Sequence, residues 1–129
     1  MRRRVLLLLQ KVSLKQLPRS LRRAATTDID NRLVLRGMVA KRPERRQSPA
    51  GIPINRFLFE HNSRQMLSGM EREMTFRIMV TASGEDLDRQ LRNITTGQQL
   101  QIEGCLGRAG HRNEEIRLVL HAERIEPLD

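Results

Sequence analysis

The sequence predicts an all-β domain with one short helix, arranged as the five-stranded Greek-key barrel of an OB-fold. Three observations carry this. Five separate segments alternate apolar and polar residues, the period of a half-buried strand. A single segment between the third and fourth of them instead spaces Leu87, Leu91 and Ile94 at i, i+4 and i+7, one stripe of a helix. The resulting order is three strands, a helix and two strands. In an OB-fold, oligonucleotides bind one sheet face and the loops joining strands one to two and four to five. Fold alone does not prove such a function.

The first strand spans Arg32 to Lys41, with Leu33, Leu35, Gly37 and Val39 on one face. Gly37 in its middle predicts a bulge or a sharp bend. A loop from Arg42 to Ile52 follows. Within it, Pro49 and Pro53 flank Gly51, and no helix or central strand runs through such a segment. The second strand runs from Pro53 to His61, with Asn55, Phe57, Phe59 and His61 on one face and Ile54, Arg56, Leu58 and Glu60 on the other. Asn62 to Arg72 is polar and contains Gly69, so it reads as a long loop. The third strand, Met74 to Thr81, sets Phe76, Ile78 and Val80 against Thr75, Arg77, Met79 and Thr81. Ser83 and Asp86 form a capping-box-like helix start. Thr95 to Gln98 turns the chain into the fourth strand, Gln99 to Gly107. A loop from Arg108 to Glu114 leads to the fifth, where Ile116, Leu118, Leu120 and Ala122 alternate with Arg117, Val119, His121 and Glu123. Pro127 ends it.

The composition says where a partner must act. The 129 residues carry a formal charge of +9, with no Trp, no Tyr and three Phe. Such a basic excess points to a polyanionic partner. Residues 1–30 hold eight basic and two acidic side chains and so account for +6, leaving +3 for the other 99 residues. Residues 1–30 read as a basic N-terminal extension, disordered or the product of an upstream start codon, and residues 31–129 as the OB domain. Leu14, Leu17 and Leu21 at helical spacing leave a nucleic-acid arm or a membrane-surface helix as alternatives for the extension. Val5 to Leu9 is too short to span a membrane or to form a signal-peptide core, so no membrane partner is expected. The single Cys105 excludes an internal disulfide, reads as a buried thiol, and fits a reducing, cytoplasmic setting.

Two of the loops that an OB-fold uses are basic. Lys41, Arg42, Arg45 and Arg46 stand before the second strand, and Arg108, Arg112 and Arg117 surround the fourth connection. A nucleic-acid face and a merely solvated surface are both consistent with the first of these. No catalytic set can be assembled from the sequence. His61, His111 and His121 lie apart with no ligands at metal spacing. Neither an enzyme nor a cofactor is expected. Met66, Met70 and Met74 at spacing four read as a helical stripe or a soft contact surface.

From Asn31 onward the chain resembles the bacterial primosomal replication protein N family, relatives of single-stranded-DNA-binding protein. Asn31-Arg32-Leu33-Val34-Leu35-Arg36-Gly37 carries the resemblance, as do Ser48-Pro49-Ala50-Gly51-Ile52-Pro53 with Phe57 and Glu60-His61. So do Val80 to Gly84 and Val119-Leu120-His121-Ala122-Glu123-Arg124-Ile125. The resemblance implies a homodimer that binds single-stranded DNA and joins the primosomal helicase PriA and other primosome proteins at stalled replication forks. It places basic DNA-contacting positions on Arg46, Arg112 and Arg117. Two further family positions fall on Gly110 and on Asn62, the latter with Arg64 two residues on. The family's stacking Trp falls on Thr75, beside which Arg77 offers a guanidinium plane. Weaker DNA binding is therefore expected, and a protein-interaction adaptor that has lost most DNA affinity is the alternative function.

Overall fold

Pro53 and Gly51 decide where the chain first reverses. The computed structural model describes residues 29–110 and 117–128. The chain divides into two units, Met1–Asn31 and Arg32–Asp129, and the barrel belongs to the second. Its first strand, β1 (Leu33–Gln47), runs into a turn in which the Gly51 amide donates to the Ser48 carbonyl at 2.8 Å. Gly51 has φ 83°, a conformation that glycine adopts without strain. The chain leaves this turn as β2 (Pro53–Leu67). A second reversal at Ser68 and Gly69, with φ 51° and 76°, has the two positive φ values of a tight hairpin turn and leads to β3 (Met70–Ser83). Helix α1 (Glu85–Leu91), β4 (Gln99–Arg108) and β5 (Leu118–Pro127) complete the domain. The strands close as β1-β2-β3-β5-β4, antiparallel except for the β3–β5 pair.

Closure depends on β1 changing partners. Leu33–Met38 pair with β4, whereas Met38–Gln47 pair with β2. At the crossing, a Cβ on Gly37 would stand 2.2 Å from the Glu60 carbonyl oxygen and 2.9 Å from the Phe59 ring. Only a residue without a side chain lets the strands approach so closely, whereas the pairing register runs through Gly37 without the expected bulge. Register shifts flank Lys41 on the same strand.

The interior is built from the alternating faces. Leu35, Val39, Phe57, Phe59, Val80, Ala82, Leu100, Ile102, Leu120 and Ile125 fill the barrel, and Leu91 and Ile94 close one end. Phe57 and Phe59 meet edge to face at 6.3 Å. Each fully buried side chain of this size contributes about 1.5–3 kcal/mol from burial.

Several expected details differ. The segment 42–47 is strand, and Asn62 to Arg72 is a hairpin arm of paired β2 and β3 residues, from Asn62 opposite Thr75 to Leu67 opposite Met70. Cross-strand hydrogen bonding holds these polar residues in strands without a buried face, so alternation of hydropathy cannot reveal them. Met66, Met70 and Met74 consequently lie on strands, not on a helical stripe. Helix α1 starts from Gly84, with no side-chain cap from Ser83, which remains in β3. The carbonyl of Gly84, which has φ 107°, accepts the first helical hydrogen bond from the Asp88 amide at 3.0 Å. In β5, Val119 and Leu120 are both buried while Leu118 is exposed. A register shift at Glu103/Gly104 then turns Ile125 inward. Cys105 is half-buried. His111, Arg112, Glu114, Ile116 and the expected helix over Leu14, Leu17 and Leu21 lie outside the described residues.

Candidate nucleic-acid interface

Strand alternation, with the register shifts that flank Lys41, gathers cations on the outer face of β1 and β2. Lys41, Arg42, Glu44, Arg46 and Arg56, with Leu58 and Met79, line a groove of about 260 Å³ across β1, β2 and β3. Lys41 stands opposite Leu58, and Leu58 in turn opposite Met79. Glu44 stands opposite Arg56, and Arg46 opposite Ile54. Among the described residues, Lys41, Arg42, Arg46 and Arg56 form no ion pair. Four cations against one carboxylate give this groove an uncompensated positive field over an apolar floor.

Arg45 points the other way. Its Nε donates to Asp88 Oδ1 at 2.9 Å, and the Asn55 amide donates to the same oxygen at 2.9 Å. Arg92 reaches Asp88 Oδ2 at 3.5 Å. Asp88 is 3% exposed, and a buried carboxylate is stable only when its oxygens are so occupied. The Asn55 hydrogen bond, then Arg45, holds its pKa below the ordinary 3.8, against the opposing effect of burial. Arg45 thus fastens β1 to α1.

The remaining expected positions are scattered. Arg77 donates to Glu60 at 3.3 Å, and Arg64 lies 3.8 Å from Glu71 on the hairpin arm. Arg108 ends β4 and Arg117 precedes β5, where its carbonyl accepts the Ala109 amide at 3.0 Å. Arg112 lies outside the described residues. Thr75 stands on the outer face of the arm, its hydroxyl donating to Asn62 at 3.3 Å. The structure therefore brings Lys41, Arg42 and Arg46 together, adds Arg56, and withdraws Arg45. Arg56 was missed as a site residue although its place on the polar face of β2 marks it as outward.

No helix among the described residues is long and apolar enough to cross a membrane. No group of three His, Cys, Asp or Glu side chains among them is arranged to hold a metal.

A closed five-stranded barrel with a helix after β3 and an uncompensated cationic face defines an OB-fold protein of the single-strand-binding class. Residues 31–124 match the family described as "another single-strand binding protein family". The replication restart protein PriB of Photorhabdus laumondii is 46% identical over 99 residues, covering 77% of this chain and 94% of that protein. PriB from Ralstonia solanacearum superposes with a TM-score of 0.66 at 28% identity, covering 77% of this chain and 99% of that one. The single-stranded DNA binding protein of Thermus aquaticus gives 0.65 at 25% identity over 78% of this chain and half of that one. The chain belongs to the replication restart protein PriB family.

Proposed function

We propose that this protein is a non-enzymatic, cytoplasmic replication-restart factor that binds single-stranded DNA across the outer face of β1, β2 and β3. The observation that carries the reading is the groove of Lys41, Arg42, Arg46 and Arg56, cationic, unpaired among the described residues, and on the sheet face that OB-folds use. Arg108 and Arg117, at the end of β4 and just before the start of β5, and Arg64 and Arg77 on the arm are further candidate contacts, as is Arg112, which lies outside the described residues. Similarity to proteins named for replication restart and for single-stranded DNA binding supports the same reading. In this reading the protein acts as a homodimer with the primosomal helicase PriA and other primosome proteins. Leu33–Gly37, which pair with β4 alone, and the exposed Val34 and Met38 offer a strand and apolar surface to a second copy.

Mechanistically, the guanidinium and ammonium groups neutralise phosphates and release condensed counterions. None of them needs to read a base edge. Fluorescence anisotropy with a labelled dT oligomer tests the reading, at two salt concentrations and with a duplex of equal length as competitor. Salt-sensitive binding that the duplex does not displace is the expected result. Absence of binding at low salt would refute it and favour the adaptor function. Sedimentation at micromolar concentration tests self-association.

A further inference from the structure

Among the cations of the β1–β2–β3 groove stands one carboxylate. Glu44 lines the groove beside Lys41, Arg42, Arg46 and Arg56. A negative charge there repels the phosphates that those four attract. Nor is it spent on its neighbours. Arg56 stands opposite Glu44 across the β1–β2 ladder, yet Glu44 forms no ion pair among the described residues. Other outward carboxylates of the barrel are engaged, Glu60 accepting from Arg77 at 3.3 Å and Glu103 from Arg32 at 2.8 Å. Glu44 is exposed, so its carboxylate is open to a ligand.

The rows around Glu44 define the chemistry of that ligand. On this face Lys41, Leu58 and Met79 stand in one row across β1, β2 and β3, and Glu44, Arg56 and Thr81 in the next. Successive rows on one face lie about 7 Å apart. A base resting on the half-buried Leu58 and Met79 has its apolar face covered, and a thioether is a favourable partner for a flat ring. Its edge then meets the neighbouring row. The cations of both rows take the phosphates, which leaves the base edge to Glu44. An ionised carboxylate only accepts hydrogen bonds, so it sorts bases by their donors, as when Glu accepts from the cytosine amine. Guanine presents N1–H and N2–H side by side, one for each carboxylate oxygen. Cytosine and adenine each present a single exocyclic amine. The one ring N–H of thymine lies between two carbonyl oxygens, which a carboxylate repels.

We propose that Glu44 is a base-selecting residue of the groove, which takes guanine from a single strand in preference to thymine. This inference rests on the DNA-binding reading above and adds a specificity to it. The cations fix the strand by its phosphates, and Glu44 decides which base lies between them.

The test titrates the full chain with short dT oligomers, unsubstituted or carrying a central guanine, inosine or 7-deazaguanine. The guanine oligomer is expected to bind about 5-fold or more tighter than dT alone, the least that a good bidentate pair supplies. 7-Deazaguanine keeps both donors and should match guanine. Inosine lacks the N2 amine and should lose most of the gain. Both analogues keep a purine ring to stack, so the difference between them reports the hydrogen bonds. Glu44→Leu should bind dT at least as tightly as the parent, since a repelling charge is gone, and should bind every oligomer of the series alike. An unchanged melting temperature shows that this variant folds, and the analogue series on the parent stands without it. Equal parent affinity for the guanine and dT oligomers, equal gains from guanine and inosine, or a guanine preference that persists in Glu44→Leu would overturn the selection and leave DNA binding standing. Failure of the parent to bind any oligomer at low salt would remove both readings.

Discussion

Two neighbouring arginines should behave as opposites. Arg45 and Arg46 follow one another on β1, and strand alternation sends them to opposite faces. Arg46 lines the cationic groove, whereas Arg45 donates to the buried Asp88 at 2.9 Å. If each of the four groove cations contacts one phosphate, the slope of log K against log salt is about −2.8, from roughly −0.7 per contact on a single strand. Raising salt from about 50 to 200 mM then weakens parent binding roughly 50-fold. Arg46→Ala leaves three contacts, a slope near −2.1 and a loss of only about 18-fold over the same range. Arg45→Ala should keep the parent slope but lower the melting temperature, because Asp88 loses a charge-assisted partner. Anisotropy titrations at several salt concentrations measure the slope, and circular dichroism measures the melt. A flattened slope for Arg45→Ala with an unchanged melt, or a parent-like slope for Arg46→Ala, would refute the assignment of faces.

Other predictions follow from particular contacts. Gly37→Ala puts a methyl group against the Glu60 carbonyl and the Phe59 ring. It should cost about 1–3 kcal/mol, or roughly 5–20 °C in melting temperature, by thermal denaturation. Because its folded pKa is depressed, Asp88 adds stability that is complete above its unfolded value of 3.8 and is lost as pH falls through the lower folded value. The melting temperature of Asp88→Asn should therefore decline less than that of the parent below about pH 4, measured by melts from pH 6 to pH 2.5. Removal of residues 1–30 should leave both the melting temperature and the affinity for dT oligomers unchanged. A large loss of stability would show that the segment packs on the barrel, and a loss of affinity alone would make it a nucleic-acid arm.

The barrel was legible because burial alternates where strands have an inside. Asn55, Phe57 and Phe59 on one face of β2, and Leu35 and Val39 on β1, sit inward as their spacing implies. A mid-strand glycine also marks a close approach, as at Gly37 against Glu60 and Phe59. The hairpin arm was hidden because its residues face solvent on both sides, leaving only hydrogen bonding to make it a strand. Lys41, Arg42 and Arg46 could be named from charge density, but charge alone does not reveal partners. Arg45 looks identical to Arg46 in sequence, and its role depends on Asp88, which is 43 residues away and brought near by α1. By its spacing Phe76 shares a face with Ile78 and Val80. The barrel ends before reaching it, so the same face that is core at Val80 is open at Phe76.

The most direct test of the DNA-binding face is a titration of the 15N-labelled protein with a dT oligomer, followed by amide chemical shifts. The account predicts that the perturbed amides cluster at Lys41–Arg46, Arg56–Leu58 and Met79. Perturbations confined to α1 and the 92–98 turn, with the β1–β2 groove unmoved, would contradict it.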